Sequence, residues 1–223
     1  MSVIQTLLLC TTAAVAGAIV DRFAAAATIR RLRHRNRILA RAASFDLPTG
    51  VRNRAGCEAA YAAGRDQNRE VIVIDLDRFK AVNDTYGHLV ADRVLAALGA
   101  RLRAVAMRHQ GWAGRLGGDE FLLVLPHAVA SIVEQVAADL LAPIIVHTDN
   151  DQPVCVRGSA GVTHASPGTP WEQAIGEADI ALYHAKKHSG AVRFQPGMDY
   201  PATDLPVEGG EQRRRARDAH TGV

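Results

Sequence analysis

Cysteine is scarce in this chain and its excess of positive charge is small. Only Cys10, Cys57 and Cys155 occur among 223 residues, far apart and odd in number. They form neither a disulfide framework nor a zinc knuckle, which points to a reducing compartment. The net charge is only +3, although the isoelectric point is near 9.0. The arginines gather in 30–41 and 213–217, so the middle of the chain has no basic surface, and no nucleic-acid partner is expected. Charge is missing altogether from residues 1–20, "MSVIQTLLLCTTAAVAGAIV". Periodicity is missing from 196–223, where Gly and Pro accompany "RRRAR"; that stretch reads as a disordered tail.

The uncharged N-terminal run would span roughly 30 Å as a helix, about the hydrocarbon thickness of a bilayer. No Lys or Arg precedes it, and six arginines lie between Arg30 and Arg41. The positive-inside rule then predicts a single-pass anchor over residues 1–29 in the inner (cytoplasmic) membrane, with the rest of the chain in the cytoplasm. A cleaved signal peptide, with Ala14-Val15-Ala16 as its cleavage motif, and a buried helix are competing readings. Residues 30–45 read as a basic helical linker or stalk. Ala25, Ile29, Leu32, Asn36, Leu39 and Ala43 fall at alternating four- and three-residue spacing, a short dimer seam. A single helix laying its arginines over a surface fits the same residues.

From Asp46 the pattern changes, and residues 46–195 read as one α+β domain. "DLPTGVRNR" is rich in turn formers and precedes a helix from about Arg54 to Gly64. "EVIVIDLD" is a short apolar run ending in two aspartates, which predicts a buried strand with Asp75 and Asp77 at its C-terminal end. A helix interrupted near Gly87 follows, with Val90, Val94, Leu95, Leu98, Leu102 and Val105 as its apolar stripe. "GWAGRLGGDEFLLVL" predicts a hairpin turning at Gly117-Gly118. A helix near 128–141, strands near 143–148 and 154–163, a helix over 170–187 and a short strand at 192–194 complete the order. That order suggests one sheet covered by helices.

Asp75 ends a central strand and Asp119 begins the strand after the glycines. Should those strands pair, the two carboxylates converge at one edge of the sheet. With a backbone carbonyl and phosphate oxygens they would form a hard oxygen cage suited to Mg²⁺ or Mn²⁺. Without a cation, two such acids would repel each other.

These motifs together resemble the GGDEF-domain family, the diguanylate cyclases. The resemblance covers roughly 46–194 and rests on "DLPTGVRNR", "IDLDRFKAVNDTYGHLVAD", "RLGGDEF", "SAGVT" and "EADIALYHAKK". It implies a palm-like nucleotidyl cyclase fold with a central mixed, mostly antiparallel sheet flanked by helices. It also implies condensation of two GTP into cyclic di-GMP with release of pyrophosphate, by a homodimer in which each domain holds one half-site. Asp75, Asp119 and the Leu76 carbonyl would hold the metal, Mg²⁺ or Mn²⁺, two ions per site. Asp119 and Glu120 would be the catalytic acids. Asn83, His88 and Asp92 would lie at the guanine. Lys80 and Lys186 would neutralise phosphate charge, and the Arg78 and Phe79 amides would face the terminal phosphates. Gly117 and Gly118 would let backbone approach the nucleotide.

The chain departs from the family pattern in places. Relatives often carry an Arg-x-x-Asp product-inhibition pair; here Arg108 is followed by Gly111 in place of the acid, so inhibition through that pair is not expected. Ala91 replaces a glycine and Leu116 a tyrosine. An arginine common after Lys186 is Gly190 here, although Arg193 is near in sequence. That loss motivates an alternative: a catalytically degenerate module that binds GTP or a protein partner and signals without turnover.

Overall fold

The computed structural model describes residues 22, 28–32, 43–126, 132–188 and 190–200. The chain divides into two units, Met1–Ala43 and Ser44–Val223. In the first, Arg22 and residues 28–32 are helical and exposed. Here the expected membrane location is corrected. Among the described residues no helix is long and apolar enough to cross a membrane. The stretch Thr28–Leu32 carries Arg30 and Arg31, whose charges are costly in hydrocarbon. The apolar run 1–20 itself lies outside the described residues, as do Ala25, Asn36 and Leu39 of the expected seam and all of 201–223.

The second unit is built around β1 (Arg69–Leu76), which is buried along its whole length, as a strand flanked on both sides and covered on both faces must be. β3 (Glu120–Pro126) and β6 (Gly158–Ala165) both pair with it antiparallel. β2 (Trp112–Gly117) lies antiparallel to β3, and β7 (Ala191–Arg193) lies parallel to β6. The sheet order is β2-β3-β1-β6-β7, a mixed and mostly antiparallel sheet.

Side chains alternate along β1 and feed two cores. On one face Ile72, Ile74, Phe121 and Leu123 meet Leu98 and Leu102 of α2 (Phe79–Arg108) and Val136 and Leu140 of α3 (Val133–Leu141). On the other, Val71, Val73 and Leu122 meet Tyr61 of α1 (Arg54–Ala63) and Ala174, Ala178 and Leu182 of α4 (Trp171–His188). Helix α1 starts where the Asn53 side chain accepts a hydrogen bond from the Gly56 amide at 2.9 Å. Helix α4 lies close against β6 because Gly161 has no Cβ. One there would collide with the Ala178 carbonyl oxygen and stand 2.9 Å from Leu182 Cα.

Two segments differ from expectation. The strand expected over 154–163 is two strands. β5 (Pro153–Val156) pairs with β4 (Ile144–His147) in a separate two-stranded sheet, and after Arg157 the chain enters the main sheet as β6. Burial alternates along β5 and is almost continuous along β6, but the two strands are joined without a break in strand-like composition, so the residues alone do not reveal the change of partner. Residues 196–200 pack back on α4, where the Tyr200 hydroxyl donates to buried Asp179 at 2.7 Å and the Tyr200 ring meets Tyr183 edge-on at 5.5 Å.

Candidate active site

Strand register brings the acidic residues to one end of the sheet. Asp75 projects from β1 on the α4 side and is directly opposite Glu120 on β3 and Ser159 on β6. Directly opposed residues project to the same side, so Asp75 and Glu120 share a face. The Asp75 carboxylate is buried, and Lys186 Nζ from the last turn of α4 stands 2.8 Å from its Oδ1. A carboxylate taken out of water needs a cation, and this helix supplies one.

The hairpin turns at Gly118-Asp119, one residue later than expected. Gly117 pairs with Glu120 across the turn, and Gly118 takes a positive φ of +46°. The shift has a local cause. Between Arg115 and Gly117 the β2–β3 register slips, so Leu116 forms a bulge. Asp119 therefore sits in the turn, one step beyond the Asp75–Glu120 pair, and Glu120 is the residue facing Asp75.

Two arginines hold this turn by its carbonyls. Arg54 Nε donates to the Leu116 carbonyl at 3.0 Å, and Arg115 Nε donates to the Gly118 carbonyl at 2.8 Å. The other arm of Arg115 reaches the Asp46 carboxylate at 3.1 and 3.3 Å. Asp46 in turn accepts from the Thr49 amide and hydroxyl at 3.2 and 2.6 Å. The "DLPTG" loop and the acidic turn thus form one connected piece. The residue types alone give no hint of this pairing, because its partners are 69 positions apart.

Beyond Asp75, β1 passes through Asp77 and Arg78 into α2. Arg78 adopts the left-handed conformation, with φ 54° and ψ 30°, and makes no side-chain cap. A non-glycine residue held there is strained, and beyond it the first amides of α2 face out of the helix end, as those of any helix do. Such a terminus is a natural cradle for phosphate.

Comparison with known proteins places this arrangement. Residues 43–191 match the family described as "Diguanylate cyclase, GGDEF domain". The chain belongs to the GGDEF-domain family. It is 36% identical over 182 residues to diguanylate cyclase VdcA of Vibrio cholerae, covering 78% of this chain and 52% of VdcA. Its likeness to the probable diguanylate cyclase DgcC of Escherichia coli is 32% over 174 residues, covering 72% of this chain and 45% of that protein. The chain thus spans about half the length of these curated relatives. Among solved structures, the coiled coil and GGDEF domain of DgcB from Caulobacter crescentus, in complex with c-di-GMP, superposes with a TM-score of 0.66 at 25% identity. That match covers 76% of this chain and 95% of the other. Diguanylate cyclase SiaD from Pseudomonas aeruginosa, solved with its activator SiaC, gives a TM-score of 0.61 at 27% identity, covering 85% of this chain and 77% of the other. The palm-like α+β fold expected from the motifs is the fold of the family.

Within this GGDEF domain the remaining expected site residues lie along α2. Lys80 and Arg78 are exposed at its start. Gly87, with φ 78° and ψ 169°, breaks the helix where the sequence predicted an interruption. His88 and Asp92 follow the break, exposed and four residues apart, so they share one face. Asn83, before the break, has a buried Oδ1 with no hydrogen-bond partner. A buried acceptor left unpaired costs about 1–3 kcal/mol, and such a cost is tolerated where a ligand supplies the donor.

A divalent cation fits the donor set. Asp75, Asp119 and the Leu76 carbonyl are all oxygen donors, and the ammonium beside Asp75 marks a place where positive charge is already needed. Among the described residues there is no cluster of three His, Cys, Asp or Glu side chains ready to hold a metal. Arg193, near Lys186 in sequence, serves elsewhere: its Nη1 donates to buried Glu70 at 2.7 Å, and Glu70 also contacts His164 Nδ1 at 2.9 Å. Glu70 lies five residues before Asp75, roughly 16 Å away along an extended strand.

Proposed function

We propose that this chain is a diguanylate cyclase that joins two GTP molecules into cyclic di-GMP and releases two pyrophosphates. The observation that carries the reading is the buried Asp75 opposite Glu120, with the Gly118-Asp119 turn one step beyond and Lys186 at 2.8 Å.

Mg²⁺ or Mn²⁺, two ions per site, would be held by Asp75, Asp119 and the Leu76 carbonyl; the metal supplies Lewis-acid stabilisation of charge on phosphate and a more acidic 3′-hydroxyl. The chain's own residues do the rest. Asp119 accepts the proton of the 3′-hydroxyl that attacks the α-phosphorus of the second GTP. Glu120 supports the same centre. Lys186 and Lys80 neutralise phosphate charge, and the amides at the Arg78–Phe79 turn bind terminal oxygens. Gly117 and Gly118 leave room for the nucleotide. Asn83, with His88 and Asp92, reads the guanine edge; the buried Asn83 oxygen supports this, because a base N–H would satisfy it. Each domain holds one GTP, so two copies must face one another, and that proximity lowers the barrier by several kcal/mol.

Gly190 in place of an arginine favours a second reading, a domain that binds GTP and signals without turnover. Incubating the purified chain with GTP and Mn²⁺ separates the two. Cyclic dinucleotide formation that Asp119→Ala abolishes without altering the fold supports the cyclase. GTP binding with no dinucleotide at high protein concentration supports the binding module. Near-normal turnover by Asp119→Ala would overturn the assignment of the acidic turn.

A further inference from the structure

A cavity of about 490 Å³ lies between α3, β6 and β7, bordered by Asp77, Arg157 and Gly190. It adjoins the turn that leads from β1 into α2. Leu76 pairs with Gly158, and the Asp77 amide donates to the Arg157 carbonyl at 2.9 Å. Arg157 therefore sits across the ladder from Asp77, one residue before the Arg78–Phe79 turn. Its side chain is exposed, and its guanidinium makes no hydrogen bond or ion pair with any described residue. Gly190 lines the same cavity, with φ +141° and nothing within 4 Å of where a Cβ would stand. Arg193 borders the cavity too, but its guanidinium is taken by Glu70.

We infer that Arg157 binds the terminal phosphates of the nucleotide, supplying from just before β6 the guanidinium that Gly190 does not. The phosphate turn is cationic at Arg78 and Lys80 and presents helix-end amides. A planar guanidinium beside it makes paired hydrogen bonds to phosphate oxygens. The inference rests on the proposed binding of GTP and deepens it.

The test uses the full chain. A charge-assisted hydrogen bond of ordinary strength corresponds to about a tenfold change in affinity. Arg157→Ala is therefore expected to raise KM for GTP about tenfold and leave kcat within about twofold, the pattern of a lost contact common to ground and transition states. Competitive inhibition by inorganic pyrophosphate should weaken by the same factor. Inhibition by GMP, which lacks the terminal phosphates, should not change. Arg157→Lys should recover part of the loss, and Arg193→Ala should leave pyrophosphate inhibition as it was. Unchanged KM and pyrophosphate inhibition in Arg157→Ala, or an equal weakening of GMP, would overturn the inference. Should the unmodified chain form no dinucleotide, the cyclase reading fails on its own. Calorimetric titration of pyrophosphate with Mg²⁺ then decides the arginine, and equal affinities with and without it refute the role.

Discussion

Replacing Arg115 by methionine isolates what holds the acidic turn in place. The side chain makes a charge-assisted hydrogen bond to the Gly118 carbonyl and an ion pair with Asp46, and the Arg115 and Asp46 side chains are only 16% and 21% exposed. The hydrogen bond is worth about 2 kcal/mol and the part-buried pair about 1 kcal/mol. Asp46 keeps its two hydrogen bonds from Thr49, so little of the cost falls on the loop. About 3 kcal/mol thus acts on the turn carrying Asp119. At 1.4 kcal/mol per decade, cyclic dinucleotide formation should fall roughly 100-fold. The turn lies at one end of the sheet, so it loosens locally and the melting temperature should fall by only a few degrees. Arg115→Lys keeps the charge but cannot bridge both partners, and should fall between. Hydrogen exchange at Phe121 gives a readout independent of turnover, and faster exchange is expected. Wild-type turnover together with wild-type exchange in Arg115→Met would refute the claim that this arginine sets the turn.

Gly111→Asp should destabilise the fold rather than create a product-binding pair with Arg108. A Cβ at 111 would collide with the Val124 carbonyl oxygen and lie 2.6 Å from Leu125 Cδ2. Overpacking of this kind costs about 1–3 kcal/mol, which thermal unfolding would report. Asn83→Leu removes the unpaired buried acceptor, so it should hold or raise the melting temperature while weakening GTP binding more than about tenfold; equal losses of both would contradict the assignment. Burial pushes the Cys57 thiol up from 9.0 to about 12, against the opposing charges of Arg52 and Arg54. Above pH 9 the unfolded chain ionises there while the folded one holds its proton, so this part of the stability drains away between pH 9 and 12. Melting curves of Cys57→Ala across that range should lack this component of the decline. At neutral pH a thiol reagent should label exposed Cys155 and spare Cys57 until the fold opens.

The sequence revealed features that depend on near neighbours. The buried run before Asp75 made β1 visible, and Gly87 announced the helix break because a residue with φ 78° there is most easily glycine. The turn was misplaced by one residue. The bulge at Leu116 that moves it is secured by Arg54, 62 positions away, and no local pattern encodes that contact. The same blindness hid the Asp46–Arg115 pair and the diversion of Arg193 to Glu70. The hydropathy of residues 1–20 suggested a membrane span, yet among the described residues no helix is long and apolar enough to be one. Tyr200 belongs by composition to a polar tail, yet its hydroxyl donates to Asp179, 21 positions earlier.

The absent methyl at Gly161 sets a clearance for the whole domain. With Ala174, Ala178, Ala181 and Ala185 all buried, α4 rides on the sheet at nearly the smallest separation two backbones allow. The reach of Lys186 is matched to that height. A single added carbon at 161 would lift the rod that carries the ammonium, and the grip of Lys186 on Asp75 would be loosened from 25 positions away.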